Sequence, residues 1–285
     1  NIQEVNKDTS DYKAVEKVAE GRFATVFNGF ENSLGSERGI DGSERKKVVL
    51  KVYLKKSAIW RNSIEVKILN KVQKVDCFPQ ILDAFDGDKY TFIIMEPAGD
   101  SLKTVVRRNP KGVITNENLI RLAFQLLRAV RYLHIGGFMH REISTRKVLV
   151  GLIKDHVYIK LTGFGGATSI EVKNRRSSLF NQINMPPRPK YTVIDDFQKA
   201  VTVLVEVGVP NNRAMEGINI KNYAMPALHN DQKWMDKIWQ GLKKLVEEKN
   251  PDTDFMYGLL NNAVQGLNKK SPMTYSISNG LLSID

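Results

Sequence analysis

The spacing of apolar residues changes along this chain, and the change predicts two differently built regions. The stretch from Val15 to Phe30 predicts two strands joined by a tight turn at Gly21, the β-branched stretch from Val48 to Leu54 predicts a third strand, and Tyr90 to Glu96 predicts another. Residues 59–75 carry apolar side chains at helical spacing, which predicts a helix within this strand-rich part of the chain.

The remainder of the chain is predicted to be mainly helical. Apolar residues recur every three or four positions from Asn116 to His134, and Thr115 or the Asn after it can cap this helix. Short β-rich stretches follow from Lys147 to Val150 and from Val157 to Leu161, and helical patterns dominate after Asp195. A strand-rich N-terminal third therefore precedes a helical remainder.

Composition limits the compartment and the kind of partner. The chain has 285 residues and a single cysteine, Cys77, which excludes an internal disulfide framework and indicates a reducing, intracellular compartment, either cytoplasmic or nuclear. No apolar run approaches the roughly 18–20 residues of a membrane-spanning helix. The net charge of +12 favours acidic partners, although its basic residues are scattered, as on a solvated surface. No helix-turn-helix, zinc-finger or aromatic RNA-binding motif accompanies them.

Two short segments carry the strongest chemical signal. One is His140-Arg141-Glu142, with Lys147 five residues after Glu142, and the other is Gly163-Phe164-Gly165. They resemble the catalytic centre of a protein kinase, whose pattern is His-Arg-Asp, an Asn five residues after that Asp, and later Asp-Phe-Gly. By this resemblance, Glu142 stands at the base, whereas Lys147 and Gly163 stand at two metal ligands.

These exchanges imply a site with degenerate catalytic positions. Phosphoryl transfer depends on positioning and on charge neutralisation by bound metal. An ammonium at Lys147 cannot bind Mg²⁺, Gly163 has no carboxylate, and Ser144 replaces a lysine of the catalytic loop. Lys147 is expected either to replace the missing metal charge beside a phosphate or to neutralise Glu142. The chain is therefore predicted to be a pseudokinase and not an enzyme, with no cofactor and no bound Mg²⁺.

The resemblance also implies a vestigial nucleotide site in the strand-rich region. Only the middle glycine of the phosphate loop is present, Glu20 places a carboxylate beside it, and Val49 adds bulk that typically costs about 1–3 kcal/mol where adenine would lie. Lys51 and Glu65 are expected either to hold phosphates or only to keep the helix in place. The implied positions are Gly21, Val26, Val49, Lys51, Glu65, Met95, Glu96, Ala98 and Leu149.

Other positions are implied to be structural or regulatory. The resemblance gives His140, Arg141, Phe164, Asn184 and Asp196 structural roles within the fold. Two serines after a basic run, Ser177 and Ser178, are candidate phosphorylation sites, or else part of a solvated loop.

Within the kinases, the chain most resembles the casein kinase 1 superfamily and its tau-tubulin kinase branch. The segments that carry this resemblance run from Met95 to Leu102, from Gly137 to Arg141 and from Gln182 to Asn184. It covers roughly residues 12–268 and implies an α+β, bilobal fold: a small antiparallel sheet with one main helix over residues 1–96, and a larger, mainly helical lobe over residues 97–268. Residues 269–285 are predicted to form a polar tail.

Three functions remain open at the level of sequence. The leading expectation is a regulatory or scaffolding pseudokinase that binds a protein partner, such as an active kinase or a kinase substrate. The alternative is a weak or metal-independent Ser/Thr phosphotransferase that uses Lys51, Lys147 and Glu142. A further alternative is a basic module that binds acidic protein tails or nucleic acid.

Overall fold

The chain folds into two compact units, Asn1–Ala98 and Gly99–Asp285, in a computed structural model. Within them, the structure describes residues 11–21, 24–31, 46–54, 64–170, 191–210, 220–248, 250–263 and 272–285.

The first unit contains a five-stranded antiparallel sheet and one described helix. The sheet has the order β1-β2-β3-β5-β4. Its strands are β1 (Tyr12–Glu20), β2 (Ala24–Glu31), β3 (Lys47–Leu54), β4 (Ile81–Asp86) and β5 (Tyr90–Met95), and its helix is α1 (Ile64–Lys71). Strands and a helix form where the sequence predicted them, but the helix ends at Lys71, so residues 72–75 of the predicted helix are not helical. Residues 59–63 of the predicted helix lie outside the described part of the chain.

Strict alternation in β3 divides this sheet into two faces. Val48, Leu50 and Val52 are buried in a core that also contains Phe27 and Phe92. Because side chains alternate across a strand, Val49, Lys51 and Tyr53 lie on the opposite face. The apolar core therefore determines which β3 side chains are available on the second face.

The edge strand β4 was not predicted from the sequence. Its residues lack clear alternation, and its register with β5 shifts between Ile81 and Asp83. Pairing with β5, rather than a strong local pattern, makes this segment a strand.

The second unit is mainly helical. Its helices are α2 (Leu102–Arg108), α3 (Asn116–Ile135), α4 (Val193–Gly208), α5 (Lys233–Lys244) and α6 (Phe255–Ala263). The Thr115 hydroxyl caps α3 by accepting a hydrogen bond from the Asn118 N–H, as predicted. The apolar stripe of α3 is buried, and this helix packs against α4.

Two small sheets hold the segments that contain the site residues. Strands β6 (Asp100–Ser101), β8 (Val148–Ile153) and β9 (His156–Leu161) form one sheet, and β7 (Phe138–Met139) pairs with β10 (Thr168–Ser169) in the other. Beyond the β8–β9 ladder, the Thr162 N–H donates to the Lys147 carbonyl at 2.9 Å. The segments around residues 140–147 and 162–166 are thereby brought together.

The chain end forms a hairpin where the sequence predicted only a polar tail. Strands β11 (Tyr275–Ser278) and β12 (Leu281–Ile284) pair across Asn279-Gly280, whose φ angles are 52° and 75°. Asn-Gly is a strong signal for a two-residue hairpin turn, and it was overlooked in the sequence.

The predicted fold class is confirmed, because an antiparallel sheet unit precedes a mainly helical unit. Among the described residues, no helix is both long and apolar enough to cross a membrane.

Candidate functional site

In the first unit, Lys51 and Glu65 form a close ion pair. The Lys51 ammonium lies 2.7 Å from each carboxylate oxygen of Glu65. Their side chains are only 13% and 2% exposed, so the pair is largely removed from water. The two residues predicted to pair are therefore together, and the carboxylate fixes the direction of the lysine side chain.

Tyr53 is a third member of this pair that sequence reasoning missed. Its hydroxyl donates a hydrogen bond to Glu65, and Lys51 Nζ lies 5.5 Å from the centre of its ring. Burial, together with the charge of Glu65, raises the pKa of the Tyr53 phenol. Because Tyr53 follows Lys51 by two residues in a strand, their shared face could have been inferred from the sequence.

Several predicted nucleotide-site residues share this face of the sheet. Val26 lies directly opposite Lys51 in the β2–β3 ladder, and Val49 lies opposite Met95 in the β3–β5 ladder. Opposite residues in antiparallel strands project to the same side. The register thus brings these four positions to one face, whereas their role in nucleotide binding stays a prediction.

The turn between β1 and β2 contains Gly21, whose N–H donates to the Ala24 carbonyl at 2.8 Å. The Glu20 carboxylate, predicted to repel phosphate, pairs with Lys17 Nζ at 2.5 Å. The hydrogen bond from Lys17 lowers the pKa of Glu20. The carboxylate therefore stays charged, with a cation beside it on the same strand.

The predicted hinge begins where β5 ends. The Glu96 N–H donates to the Gln80 carbonyl at 3.0 Å, and Ala98 is buried. In the second unit, Leu149 belongs to β8 and lies opposite Ser101 and Lys160 on its two neighbouring strands.

In the second unit, His140 is completely buried and bonded through both ring nitrogens. Its Nδ1 accepts from the Glu142 N–H at 3.3 Å, so Nε2 carries the proton and donates to the Thr162 carbonyl at 2.9 Å. Burial lowers the pKa of this ring, which keeps it neutral. The ring also packs against Phe164, with centroids 5.2 Å apart.

Asp196 binds the backbone of the His140 segment from helix α4. Its two oxygens accept from the N–H groups of His140 and Arg141 at 2.7 and 2.8 Å. His134 and Tyr191 donate to the same carboxylate at 2.9 and 2.6 Å. Burial acts to raise the pKa of Asp196, but the hydrogen bond from His134 and the other donors hold it below the ordinary value.

Arg141 has left-handed backbone geometry, with a φ of 72°. Non-glycine residues rarely adopt this conformation, so its neighbours must stabilise it. Asp196 accepts from its N–H, and Lys199 Nζ donates to its carbonyl at 2.5 Å. Lys199 was not predicted as a site residue, because nothing in its local sequence indicates this contact.

Lys147 lies over Gly163. A Cβ atom added at Gly163 would lie 2.5 Å from Lys147 Cδ and 3.0 Å from its Nζ. The lysine side chain therefore fills the space that a side chain at residue 163 would need. Gly163 also has a φ of 85°, which favours glycine.

Glu142 lies against Gly166, at the other end of the segment 163–166. A Cβ atom added at Gly166 would lie 2.7 Å from Glu142 Oε1. The Lys147 side chain thus lies beside Gly163, and the Glu142 carboxylate lies beside Gly166. Ser144 contributes its carbonyl, which accepts from the Lys147 N–H at 2.9 Å.

These residues do not suit a Mg²⁺ ion. Magnesium prefers oxygen ligands in octahedral geometry. Gly163 has no side-chain oxygen and the Lys147 ammonium repels a cation, while the described residues contain no group of three or more His, Cys, Asp or Glu side chains arranged to hold a metal. Asn184, Ser177 and Ser178 lie outside the described residues, so the predictions made for them stay predictions.

Comparison with known proteins identifies the family of the chain. The protein kinase domain pattern matches residues 12–188, which is more than half of the chain. The chain belongs to the protein kinase domain family.

Similar proteins carry serine/threonine kinase names. The chain is 26% identical, over 56% of its length, to a PAS domain-containing serine/threonine-protein kinase of Mus musculus, and 23% identical, over 93% of its length, to a probable serine/threonine-protein kinase of Dictyostelium discoideum. It is 30% identical, over 56% of its length, to the probable serine/threonine-protein kinase fhkA of Dictyostelium discoideum. It spans 11%, 56% and 27% of these three relatives.

These comparisons overturn the prediction that the chain is not an enzyme. That prediction weighed three exchanged site positions, whereas the kinase domain match extends over residues 12–188 and the relatives are named as serine/threonine kinases. The exchanges do not only remove metal-binding side chains. They also place the positive charge of Lys147 beside Gly163.

Proposed function

We propose that this chain is a nucleotide-binding Ser/Thr phosphotransferase of weak or metal-independent activity, in which lysine side chains supply charge that Mg²⁺ supplies elsewhere. The observation that carries the proposal is the Lys147 ammonium, which lies 3.0 Å from the position of a Cβ atom at Gly163. ATP is the expected phosphate donor, and bound Mg²⁺ is not required.

The physical argument rests on what phosphoryl transfer needs from a protein. Catalysis of this reaction is mainly positioning and electrostatic stabilisation, because little covalent chemistry falls to the protein. Two lysine side chains offer positive charge: Lys51 is bonded to Glu65 in the first unit, and Lys147 lies beside Gly163 in the second. A fixed ammonium is a weaker substitute than a divalent ion, which is why slow turnover is expected.

Glu142 is the proposed base that accepts the proton of a Ser or Thr hydroxyl. Its carboxylate is exposed, and its position against Gly166 limits the directions that it can take. A base must approach the proton that it removes to hydrogen-bond distance, so this restraint favours the reaction.

The direct test measures phosphate transfer from ATP to the protein and to Ser/Thr peptides, with Mg²⁺ and with EDTA. Transfer that persists in EDTA and disappears in Lys51→Ala and Lys147→Ala supports the proposal. Lys111→Ala, at an exposed position after α2, is the matched control and should retain activity. No transfer under any condition would contradict the proposal.

A binding measurement separates nucleotide recognition from chemistry. ATP at about 100 times its dissociation constant should stabilise the fold by about 2.7 kcal/mol. We expect this stabilisation with and without Mg²⁺, and its loss in Lys51→Ala. Stabilisation that appears only with Mg²⁺ would mean that metal, rather than Lys147, supplies the charge.

Within the kinases, we propose the casein kinase 1 superfamily and its tau-tubulin kinase branch. Support comes from Gly99 and Gly137, which belong to the segments that resemble this branch and which both have a φ of 88°. A phylogenetic tree of sequences closely related to this chain tests the assignment, and a position outside that superfamily would contradict it.

An acidic protein surface is the partner that we propose. Lys233, Lys237 and Lys244 are exposed along one side of helix α5, where their spacing places them on a common face. Binding of an acidic peptide that weakens steeply with salt and in a Lys233→Ala/Lys237→Ala variant would support this partner. Salt-independent binding would contradict it.

A further inference from the structure

One peptide group at the site is hydrogen-bonded at both its oxygen and its nitrogen. This is the bond that joins Arg141 to Glu142. Its carbonyl accepts from Lys199 Nζ at 2.5 Å, and its N–H donates to His140 Nδ1 at 3.3 Å. The plane of this peptide sets the direction in which the Glu142 side chain leaves the backbone.

A single turn of helix α4 supplies both anchors of Arg141. Asp196 accepts from its N–H at 2.8 Å, and Lys199, three residues later on the same helix, donates to its carbonyl. Residues three apart lie on one helix face, so both side chains point toward the same segment. The left-handed φ of 72° at Arg141 is thus held from both sides.

Lys199 also places a positive charge in this segment. Tyr191 packs against two cations, because Lys199 Nζ lies 5.5 Å and the Arg141 guanidinium 5.8 Å from its ring centre. Burial lowers the pKa of Lys199, whereas the negative charges of Asp196, Glu142 and Asp195 act to raise it. These carboxylates and the Arg141 carbonyl therefore offset part of the cost of placing an ammonium at residue 199.

We propose that Lys199 is a positioning residue for Glu142, which it orients by binding the carbonyl of the Arg141–Glu142 peptide. This inference rests on the proposed phosphotransferase function. Without the ammonium, the carbonyl loses its described donor, the left-handed conformation of Arg141 loses one anchor, and Glu142 is freed from its place against Gly166.

The kinetic test compares Lys199→Met, Lys199→Arg and the control Lys111→Met, which lies at an exposed position after helix α2. A displaced base lowers turnover more than nucleotide binding, so we expect Lys199→Met to lower kcat at least about tenfold while KM for ATP changes less than about twofold. Arginine keeps the charge and donors and should restore kcat to within about threefold of the wild type. An unchanged kcat in a folded Lys199→Met protein would overturn the inference.

Amide hydrogen exchange distinguishes failure of this inference from failure of the proposed function. We expect Lys199→Met to accelerate exchange at Arg141 and Glu142 at least about tenfold relative to the amides of β9, and Lys199→Arg to behave like the wild type. This measurement needs no activity. If the wild type transfers no phosphate, the proposed function fails, and unchanged exchange at these two amides separately overturns the role of Lys199.

Discussion

The side chain of Lys147 occupies the space beside Gly163, where a Cβ atom would lie 2.5 Å from Lys147 Cδ. Two departures from the protein kinase pattern therefore fit each other sterically: the long side chain at one position uses the space left by glycine at the other. We therefore expect the effect of a substitution at residue 163 on the free energy of unfolding to depend on the residue at position 147.

Gly163→Ala should destabilise the second unit through two separate effects. A left-handed backbone costs an L-residue about 1–2 kcal/mol, and the new Cβ must also displace Lys147. The matched control is Gly137→Ala, because Gly137 has a similar φ of 88° but nothing within 4 Å of its Cβ position. We expect Gly163→Ala to cost at least about 1 kcal/mol more than Gly137→Ala in urea unfolding.

A double-mutant cycle isolates the contact between these residues. In a Lys147→Ala background, the excess cost of Gly163→Ala should fall below about 0.5 kcal/mol, since the displaced side chain is gone. An excess that is unaffected by Lys147→Ala would show that the cost arises elsewhere.

Lys51→Met should destabilise the first unit because it leaves the Glu65 carboxylate buried without its cation. Removing one partner of a buried ion pair costs about 3–5 kcal/mol. The control is Lys17→Met, which removes the exposed pair with Glu20 and should change stability by less than about 1 kcal/mol. Chemical denaturation measures both.

The triple replacement Lys51→Met/Tyr53→Phe/Glu65→Leu tests the cause. It removes the charge that has lost its cation together with the Tyr53 hydroxyl that donates to Glu65, so most of the stability lost in Lys51→Met should return. If the triple variant is as unstable as Lys51→Met, the loss reflects packing of the lysine stem rather than the carboxylate.

Stability should fall as the pH decreases from about 6.5, the ordinary pKa of histidine. Burial lowers the pKa of His140, so in acid the unfolded chain binds a proton that the folded chain does not. The contribution of neutral His140 to the free energy of unfolding is fully present above the pKa of the unfolded chain. As the pH falls below that pKa, the free energy of unfolding decreases by up to about 1.36 kcal/mol per pH unit. Urea unfolding between about pH 7.5 and 5 measures it.

His140→Phe provides the control for this pH dependence. It keeps an aromatic ring against Phe164 and removes the titrating group, so the slope above about pH 5 should flatten even though lost hydrogen bonds lower the overall stability. Asp196, whose pKa is also lowered, contributes only at more acidic pH. A slope that is unchanged in His140→Phe would assign the effect to another group.

Asn118→Leu should loosen the C-terminal hairpin. The Asn118 amide donates to the Asp285 carbonyl at 2.6 Å and to the Thr274 carbonyl at 3.0 Å, and its oxygen accepts from the Thr274 N–H at 2.9 Å. Leaving these groups unpaired should cost at least about 2 kcal/mol. The exposed Asn70 of α1 is the control position, where leucine should cost less than about 0.5 kcal/mol, and an equal effect at both sites would contradict the role of Asn118.

Most of the fold could be predicted because its strongest elements have local patterns. A run of β-branched residues identified β3, and a long apolar stripe with a capping threonine identified α3. The exceptions were β4, which depends on pairing with β5, and the C-terminal hairpin, whose Asn279-Gly280 turn signal was missed. Of the two, only β4 has a weak local pattern and acquires its structure from a distant partner.

The candidate site divides in the same way. The resemblance to protein kinases identified Lys51, Glu65, His140 and Asp196, and the structure brings Lys51 to Glu65 and His140 to Asp196. Reasoning from exchanged residues nevertheless led to the wrong prediction of an inactive protein. The residue type at one position does not show which neighbouring side chain fills the space left by a smaller residue, as Lys147 does beside Gly163.

By itself, the sequence determined the kinase frame, because the order of motifs and the periodicity of apolar residues are properties of the chain that do not depend on contacts. Only the tertiary structure decided that Lys147 lies over Gly163, that Tyr53 joins Glu65 and that Lys199 binds the Arg141 carbonyl. Long polar side chains have many rotamers of similar energy, and the packing and charges of residues distant in sequence select among them.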